Sequence, residues 1–216
     1  MRVQQRAVLL GTVLTALAVV WCGGLAMASQ PQIDGLSPDF VMKANLRGGP
    51  FTLKGSFQIT WEDYVITGTQ GEGDSNKGSL EVTQSPRVVQ SGDNPLELVC
   101  DTLEMASSTE RLIAVGNVKI KAKELSVTTN HMEGGIPQAM KSVIAGIISS
   151  LPEQVQNEIN TWLQSAAEKD QIFVLQGAVA GDSKEVKFTG DILLMNSTTE
   201  EFIFAGPAHI TYFNQE

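Results

Sequence analysis

The chain has 216 residues, of which 42% are hydrophobic and 18% charged, a composition that fits one globular core of ordinary size. It carries 15 basic and 24 acidic residues, for a net charge of −9, and its charges are interspersed. An acidic chain without a basic patch predicts no nucleic-acid partner. The two histidines and two cysteines do not stand at metal-ligand spacing, and no nucleophile motif occurs, so we predict no metal, no cofactor and no enzyme activity.

Residues 1–28 have the pattern of a secretory signal peptide. Arg2 and Arg6 precede a long uncharged apolar run, and Ala26-Met27-Ala28 fits the small-x-small rule for cleavage after Ala28. The pattern therefore predicts an exported protein. The same run is long enough to span a bilayer if it is retained, so an anchor in the inner membrane is the alternative.

The two cysteines have different predicted roles. Cys22 lies in the leader, and the bulky Trp21 before it disfavours lipidation. Cleavage of the leader would leave Cys100 without a disulfide partner. Cys100 follows Leu96 and Leu98 in an alternating pattern, which favours a small buried residue over a nucleophile.

Apolar and polar residues alternate with period two through residues 29–133, which predicts the first part of a β domain. The expected strands are 40–46, 51–66, 80–82, 88–89, 96–105 and 112–129, and the first two form a hairpin around 47–50. The pattern resumes in residues 171–216, with strands 172–179, 185–195 and 201–213. Pro207 falls inside the last strand, where a proline belongs at an edge or a bulge.

Residues 134–170 change to helical periodicity. Apolar residues recur there at three- and four-residue spacing in two runs, and Ser150 to Glu153 suggests a capping box between them. This predicts a helical hairpin inserted into the β domain. In the simplest interpretation its two apolar stripes pack on each other and on the sheet. The alternative is that the pair caps an open end of the β layer or lines its mouth.

The chain repeats itself at a constant offset. Residues 101–120 match residues 191–210 without a gap, and nine of the 20 positions are identical. About one identity is expected by chance, so the match predicts a repeated hairpin unit. Shorter copies of its second strand begin at Gly55, Gly78, Gly116 and Gly206, with a degenerate copy at Gly177.

A glycine within a strand often marks a bulge, a bend or a close approach of the backbone, and we expect one of these at the copies. After two of these copies the apolar parity shifts, between Trp61 and Tyr64 and between Ile120 and Leu125. An inserted bulge residue produces such a shift, so we expect a second bulge at each place.

These motifs resemble the OstA-like family, which includes the periplasmic lipopolysaccharide-transport proteins LptA and LptC. The family repeat pairs an Asp-x-Leu strand with an apolar-Gly-Asn-Val-x-Ile strand. Residues 101–103 followed by 114–120 match it closely, and 191–193 with 205–210 match it less closely. The helical insertion departs from the family pattern.

The resemblance implies an open, twisted antiparallel β-jellyroll in the periplasm, built from repeated hairpins. Its apolar groove would hold acyl chains of lipopolysaccharide or a similar lipid. Its strand edges would join other jellyroll transport components or further copies of the chain. Lysines 119, 121 and 123 are expected near the rim of the groove.

The residues expected to line the groove are the inward-facing apolar side chains of the repeated strands. They are Phe57, Ile59, Trp61, Leu103, Met105, Leu112, Ala114, Val118, Ile120, Leu193, Met195, Phe202, Phe204 and Ile210. Two alternatives remain. One is a structural β-repeat protein that self-associates through its strand edges without a ligand. The other is an LptC-like component anchored by a retained leader.

Overall fold

The structure is a computed structural model that describes residues 32–45, 47–61, 64–91, 96–106, 111–122, 125–184, 186–196, 198–199 and 201–213. The predicted signal peptide and its alternative as a membrane anchor lie outside these residues.

Within the described part of the chain the fold is mainly β, with a helical hairpin inserted, as predicted. Its strands are β1 (Gln32–Gly35), β2 (Val41–Ala44), β3 (Pro50–Trp61), β4 (Tyr64–Asp74), β5 (Ser79–Thr83), β6 (Arg87–Gln90), β7 (Leu96–Val99), β8 (Thr102–Ala106), β9 (Arg111–Ala122), β10 (Leu125–Gly135), β11 (Ile172–Asp182), β12 (Val186–Asn196) and β13 (Glu201–Tyr212). The helices are α1 (Pro137–Ile148) and α2 (Glu153–Ser165), between β10 and β11.

The strands form one antiparallel sheet. Three pairs of short strands act as single long strands. β1 and β2 both pair with β3, β5 and β6 both pair with β4, and β7 and β8 both pair with β9. The sheet is therefore a meander of ten long strands, with β1/β2 at one edge and β13 at the other.

Every second long strand is bulged or bent near its middle. The positions are Gly55–Ser56, Gln84–Ser85, Gly116–Asn117, Gly177–Ala178 and Gly206–Pro207. We call this line of residues the crease. Glycine accounts for four of the five positions, with φ between 75° and 88°, a conformation that is costly for other residues. The motif glycines thus mark bulges as predicted, except Gly78, which ends the turn before β5.

Two of the crease glycines have an aspartate partner on the neighbouring strand, and this explains the sequence repeat. The Asp101 side chain lies against Gly116 and accepts a hydrogen bond from Asn117 Nδ2 at 2.8 Å. Asp191 lies beside Gly206 in the same way, with its Oδ2 3.7 Å from where a Cβ would sit. The Asp and Gly positions that are identical in the 90-residue match are therefore the two partners of one bulge, in a module of one unbulged and one bulged strand.

The sheet is rolled around an apolar interior. Its buried side chains come from the strands between β3 and β12 and form one cluster, which we call the interior core. Many of them, such as Leu53, Val82 and Ile120, have no exposed surface. The inner face of a sheet can be buried this completely only if a second layer covers it. The helices are not that layer, because they pack on the other face of the sheet. The sheet must therefore cover itself, as in a jellyroll.

The helices form a separate layer on the outer face of β11, β12 and β13. Met140, Ile144 and Ile148 of α1 and Ile159 and Leu163 of α2 pack in a second cluster with Ile172, Val174, Leu194 and Ala205. This cluster shares no residue with the interior core. We call it the helix layer. The interpretation that the apolar stripes pack on the sheet is confirmed, whereas the helices do not line the mouth of the interior.

Three local predictions are wrong. The parity shifts at Trp61/Tyr64 and Ile120/Leu125 are hairpin reversals, because β3 pairs with β4 and β9 with β10 at these points. The expected strands 51–66 and 112–129 are each divided there. No capping box starts α2, whose N-cap is Pro152 without a side-chain hydrogen bond.

Candidate functional site

The interior of the roll is the candidate site, and the structure brings most of the predicted groove residues together in it. Nine of the 14 belong to the interior core with at most 6% of their surface exposed: Phe57, Ile59, Leu103, Leu112, Ala114, Val118, Ile120, Leu193 and Met195. Met105, Phe202 and Phe204 are half-buried and pack against it. Ile210 is 38% exposed. The side chain of Trp61 lies outside the described structure.

Phenylalanine rings fill the interior by lying flat on glycines. Phe173 stands directly opposite Gly134 in the β10–β11 ladder, and Phe188 stands opposite Gly181 in the β11–β12 ladder. A Cβ at either glycine would overlap the ring. Phe57 packs less tightly on two glycines, with its Cζ 3.2 Å from where a Cβ of Gly68 would sit and 3.0 Å from that of Gly71. Neither Phe173 nor Phe188 lies in a motif copy, so the sequence motifs did not indicate them as interior residues. A sequence signal was available, namely a phenylalanine in one strand and a glycine in the adjacent strand, both at positions that face the interior.

The apolar inner face reaches solvent at the two free edges of the sheet. Ile210 is paired with Phe188, and Tyr212 with Val186, so both point to the interior side; they are 38% and 48% exposed. At the other edge Met42, paired with the buried Leu53, is 45% exposed. We call these two places, where inner-facing side chains meet solvent, the seams. They are the places where the inner face is accessible from solvent.

The interior core is almost entirely hydrocarbon. Its polar groups among the described residues are the Tyr64 phenol and the Cys100 thiol. Its cysteine, Cys100, is 3% exposed, and burial together with the Asp101 carboxylate raises the pKa of its thiol to about 12. Such an apolar interior is chemically suited to hold apolar groups.

The charged side chains of β9 lie on the outer face. Lys119 and Lys121 are exposed there, on the side of β9 opposite Val118 and Ile120, so they flank the sheet rather than the interior. Lys123 lies outside the described residues. His209 is exposed, as its alternation with apolar neighbours predicts.

Glu133 organises a polar cluster on the described outer face. It pairs with the guanidinium of Arg111, and its other carboxylate oxygen lies 2.8 Å from His131 Nε2. All three residues belong to β9 and β10, next to where α1 begins. The cluster borders the helix layer, on the face of the sheet opposite the interior.

Two properties of the described residues bear on the site. No group of three or more histidine, cysteine, aspartate or glutamate side chains among them is placed to hold a metal ion. Neither α1 nor α2 has the length and hydropathy needed to cross a membrane.

Comparison with known proteins gives a distant structural likeness and no match in sequence. No protein-family model matches the chain, and no curated protein resembles it significantly. Among the solved structures that resemble it is LptH from Pseudomonas aeruginosa, the LptA-homologous periplasmic component of the lipopolysaccharide transport device. The likeness covers 49% of this chain and 75% of that chain, with 11% identity and a TM-score of 0.42. A likeness at this level does not establish function.

Proposed function

We propose that the protein holds the acyl chains of lipopolysaccharide, or of a similar lipid, in the interior of its roll, as a periplasmic component of lipopolysaccharide transport to the outer membrane. The observation that carries the proposal is an inner face made of apolar side chains that becomes accessible at the seams. The resemblance to the OstA-like family is the reason for proposing lipopolysaccharide as the lipid.

The energetics of such binding favour long apolar chains. Each buried methylene contributes about 0.8 kcal/mol, so about ten of them contribute about 8 kcal/mol before the costs of ordering and displacement are subtracted. No charged group of the interior core is needed for this. Because the chain is acidic overall, the phosphates of the lipid would remain outside the roll.

The proposed contacts combine the predicted groove residues with those found in the structure. Phe204, Ile210 and Tyr212 would be the first inner-face residues that an entering acyl chain contacts. Phe188 is the buried ring that Ile210 opposes. The nine buried groove residues would contact acyl chains only after the rings and branched side chains that fill the interior have moved.

Photocrosslinking tests the proposal. A photoreactive amino acid at Ile210 is expected to crosslink lipopolysaccharide, and one at Val115 is not. Val115 is a matched control, since it is apolar and 39% exposed against 38% for Ile210, but it points to the outer face of β9. A probe at Phe204 should crosslink as Ile210 does. Equal labelling at Ile210 and Val115, or no labelling of either in a folded protein, would contradict lipid binding in the interior.

A second candidate function is self-association through the sheet edges without a ligand. The observation in its favour is β13, a strand of 12 residues that pairs on one side only, with β12, within the described sheet. A strand of this length with one edge exposed is a template on which a strand of another chain can pair. A mass spectrum of lipid that co-purifies with the exported protein distinguishes the two candidates. The anchored alternative depends on the leader, so N-terminal sequencing decides it.

A further inference from the structure

The interior is closed in this structure. Leu103, Ala114, Val118 and Ile120 have no exposed surface. Two shallow concavities, of about 500 and 350 Å³, lie beside β11–β13 and β3–β5, and surface residues line most of both. Neither is a channel into the interior core. Entry of an acyl chain into the interior core therefore requires the two layers of the roll to separate.

The crease is a continuous interruption of the sheet. The strand ladders break between Lys54 and Phe57 on β3, between Thr129 and His131 on β10, between Gln176 and Val179 on β11, and between Gly190 and Ile192 on β12. The long strands β5/β6 and β7/β8 are divided at the same level. These breaks fall on one line that crosses the long strands, so the sheet consists of two half-sheets joined at the crease.

Bending along this line leaves the ladders intact. In an antiparallel sheet the hydrogen bonds run perpendicular to the strands, and therefore parallel to the crease. A rotation of one half-sheet against the other changes φ and ψ of one or two residues in each strand. Glycine occupies this position in four of the five bulged strands, at Gly55, Gly116, Gly177 and Gly206, so the backbone change meets little steric resistance.

We infer that the crease is a hinge, about which the two half-sheets swing apart to expose the interior core to an apolar ligand. The identity of the ligand rests on the proposed function, whereas the motion is a property of the sheet itself. The Asn117–Asp101 hydrogen bond holds one bulge in its closed geometry. The motion needs no strand to leave the sheet.

Distances between spin labels test the hinge. One pair crosses the crease, from Glu104 on β8 to Lys187 on β12. The control pair stays in one half-sheet, from Glu104 to Glu201 on β13. All three residues are exposed, and labels on a non-natural amino acid leave both cysteines unchanged. Pulsed electron paramagnetic resonance of the free protein should give a broader distance distribution for the first pair. Added lipopolysaccharide should lengthen that distance and leave the control unchanged.

The outcomes separate the hinge from the proposed function. Equal widths in the free protein, with no change on addition of lipopolysaccharide, overturn the hinge whether or not the lipid binds. If lipopolysaccharide crosslinks at Ile210 while the Glu104–Lys187 distance stays fixed, the hinge is wrong and lipid binding stands. A broad Glu104–Lys187 distribution without crosslinking at Ile210 supports the hinge and removes the lipid.

Discussion

Gly116 shows how one residue fixes the geometry of a bulge. Its φ of 75° lies in the left-handed region, and the Asp101 carboxylate occupies the place of a side chain. Asn117 follows with φ of 48°, a conformation that asparagine tolerates better than most residues. The Gly-Asn dipeptide and its aspartate partner are therefore one structural unit, which is why the glycine and the aspartate recur together in the sequence.

Replacing Gly116 by alanine should destabilise the protein by about 2–4 kcal/mol, because the left-handed backbone costs about 1–2 kcal/mol and the methyl group displaces Asp101. Urea unfolding measures the difference. Gly146 provides the control, since it lies in α1 and a methyl group added there would meet no atom within 4 Å. Gly146→Ala should raise the stability by about 0.5–1 kcal/mol. Equal effects of the two changes would contradict this account of the bulge.

Cys100 should make stability fall as the pH rises. Burial and the Asp101 carboxylate raise the pKa of its thiol to about 12, against about 8.5 in an unfolded chain. Between these values the unfolded chain has lost a proton that the native chain retains, so alkali favours unfolding. Unfolding curves in this range should be less pH-dependent for Cys100→Ala. Identical slopes for the two proteins would show that the native thiol titrates normally.

At the scale of elements, β12 separates two environments. Leu193 and Leu194 are neighbours without exposed surface, yet Leu193 packs in the interior core and Leu194 in the helix layer. The apolar run from Ile192 to Met195 is what a strand with both faces covered requires. The helix layer lies where β11, β12 and β13 are apolar on their outer face.

Leu193→Ala and Leu194→Ala should each cost about 2–5 kcal/mol, because both leave a cavity in a filled core. Only Leu194→Ala removes a contact of the helices. Hydrogen exchange measured by mass spectrometry should therefore show faster exchange in peptides from α1 and α2 for Leu194→Ala and unchanged local protection for Leu193→Ala. Comparable deprotection of the helices by both variants would mean that the two cores are coupled.

The sequence was informative where a pattern had one structural cause. Period-two alternation predicted the strands, and Gly55, Gly116, Gly177 and Gly206 predicted bulges that the structure contains. The parity shift from Trp61 to Tyr64 had two possible causes, because a tight hairpin and a bulge both change the face that apolar residues occupy. Strand pairing decides between them, and it depends on distant residues.

The site was predicted in part for a similar reason. Alternation assigned Val118 and Ile120 to one face, and they are buried together. It could not show that Phe173 and Phe188 fill the interior, because their partners Gly134 and Gly181 lie on other strands. Nor could it show that Ile210 lies at a free edge, where the same inner face meets water.

At the scale of the whole molecule, β13 is one of the two free edges of the described sheet, and it is the longer continuous strand of the two. We expect the protein to self-associate with rising concentration in sedimentation velocity, and charge on this edge should weaken the association. His209→Lys tests this, with Thr189→Lys as the control. The two residues face each other in the ladder, but Thr189 lies on β12, inside the edge. Equal effects of both lysines would assign the association to another surface.

The outer face also differs between its two sides. Glu72, Glu81 and Glu104 stand opposite one another on β4, β5 and β8, a like-charged row that costs stability. The corresponding positions on β11 and β12 are Val174 and Leu194, which the helices cover. The glutamates therefore keep the outer face of β4, β5 and β8 exposed to solvent, whereas the helices bury the outer face of β11 and β12.

The pairing of one unbulged strand with one bulged strand sets how such a chain can lengthen or shorten during evolution. Gain or loss of a whole pair keeps the bends aligned across the sheet and leaves every apolar side chain on the same face of the sheet. Gain or loss of a single strand inside the sheet would bring two bulged or two unbulged strands together and shift the bend out of register. Relatives that differ inside the sheet should therefore differ by even numbers of strands, and interiors of different capacity would arise by duplication in steps of two.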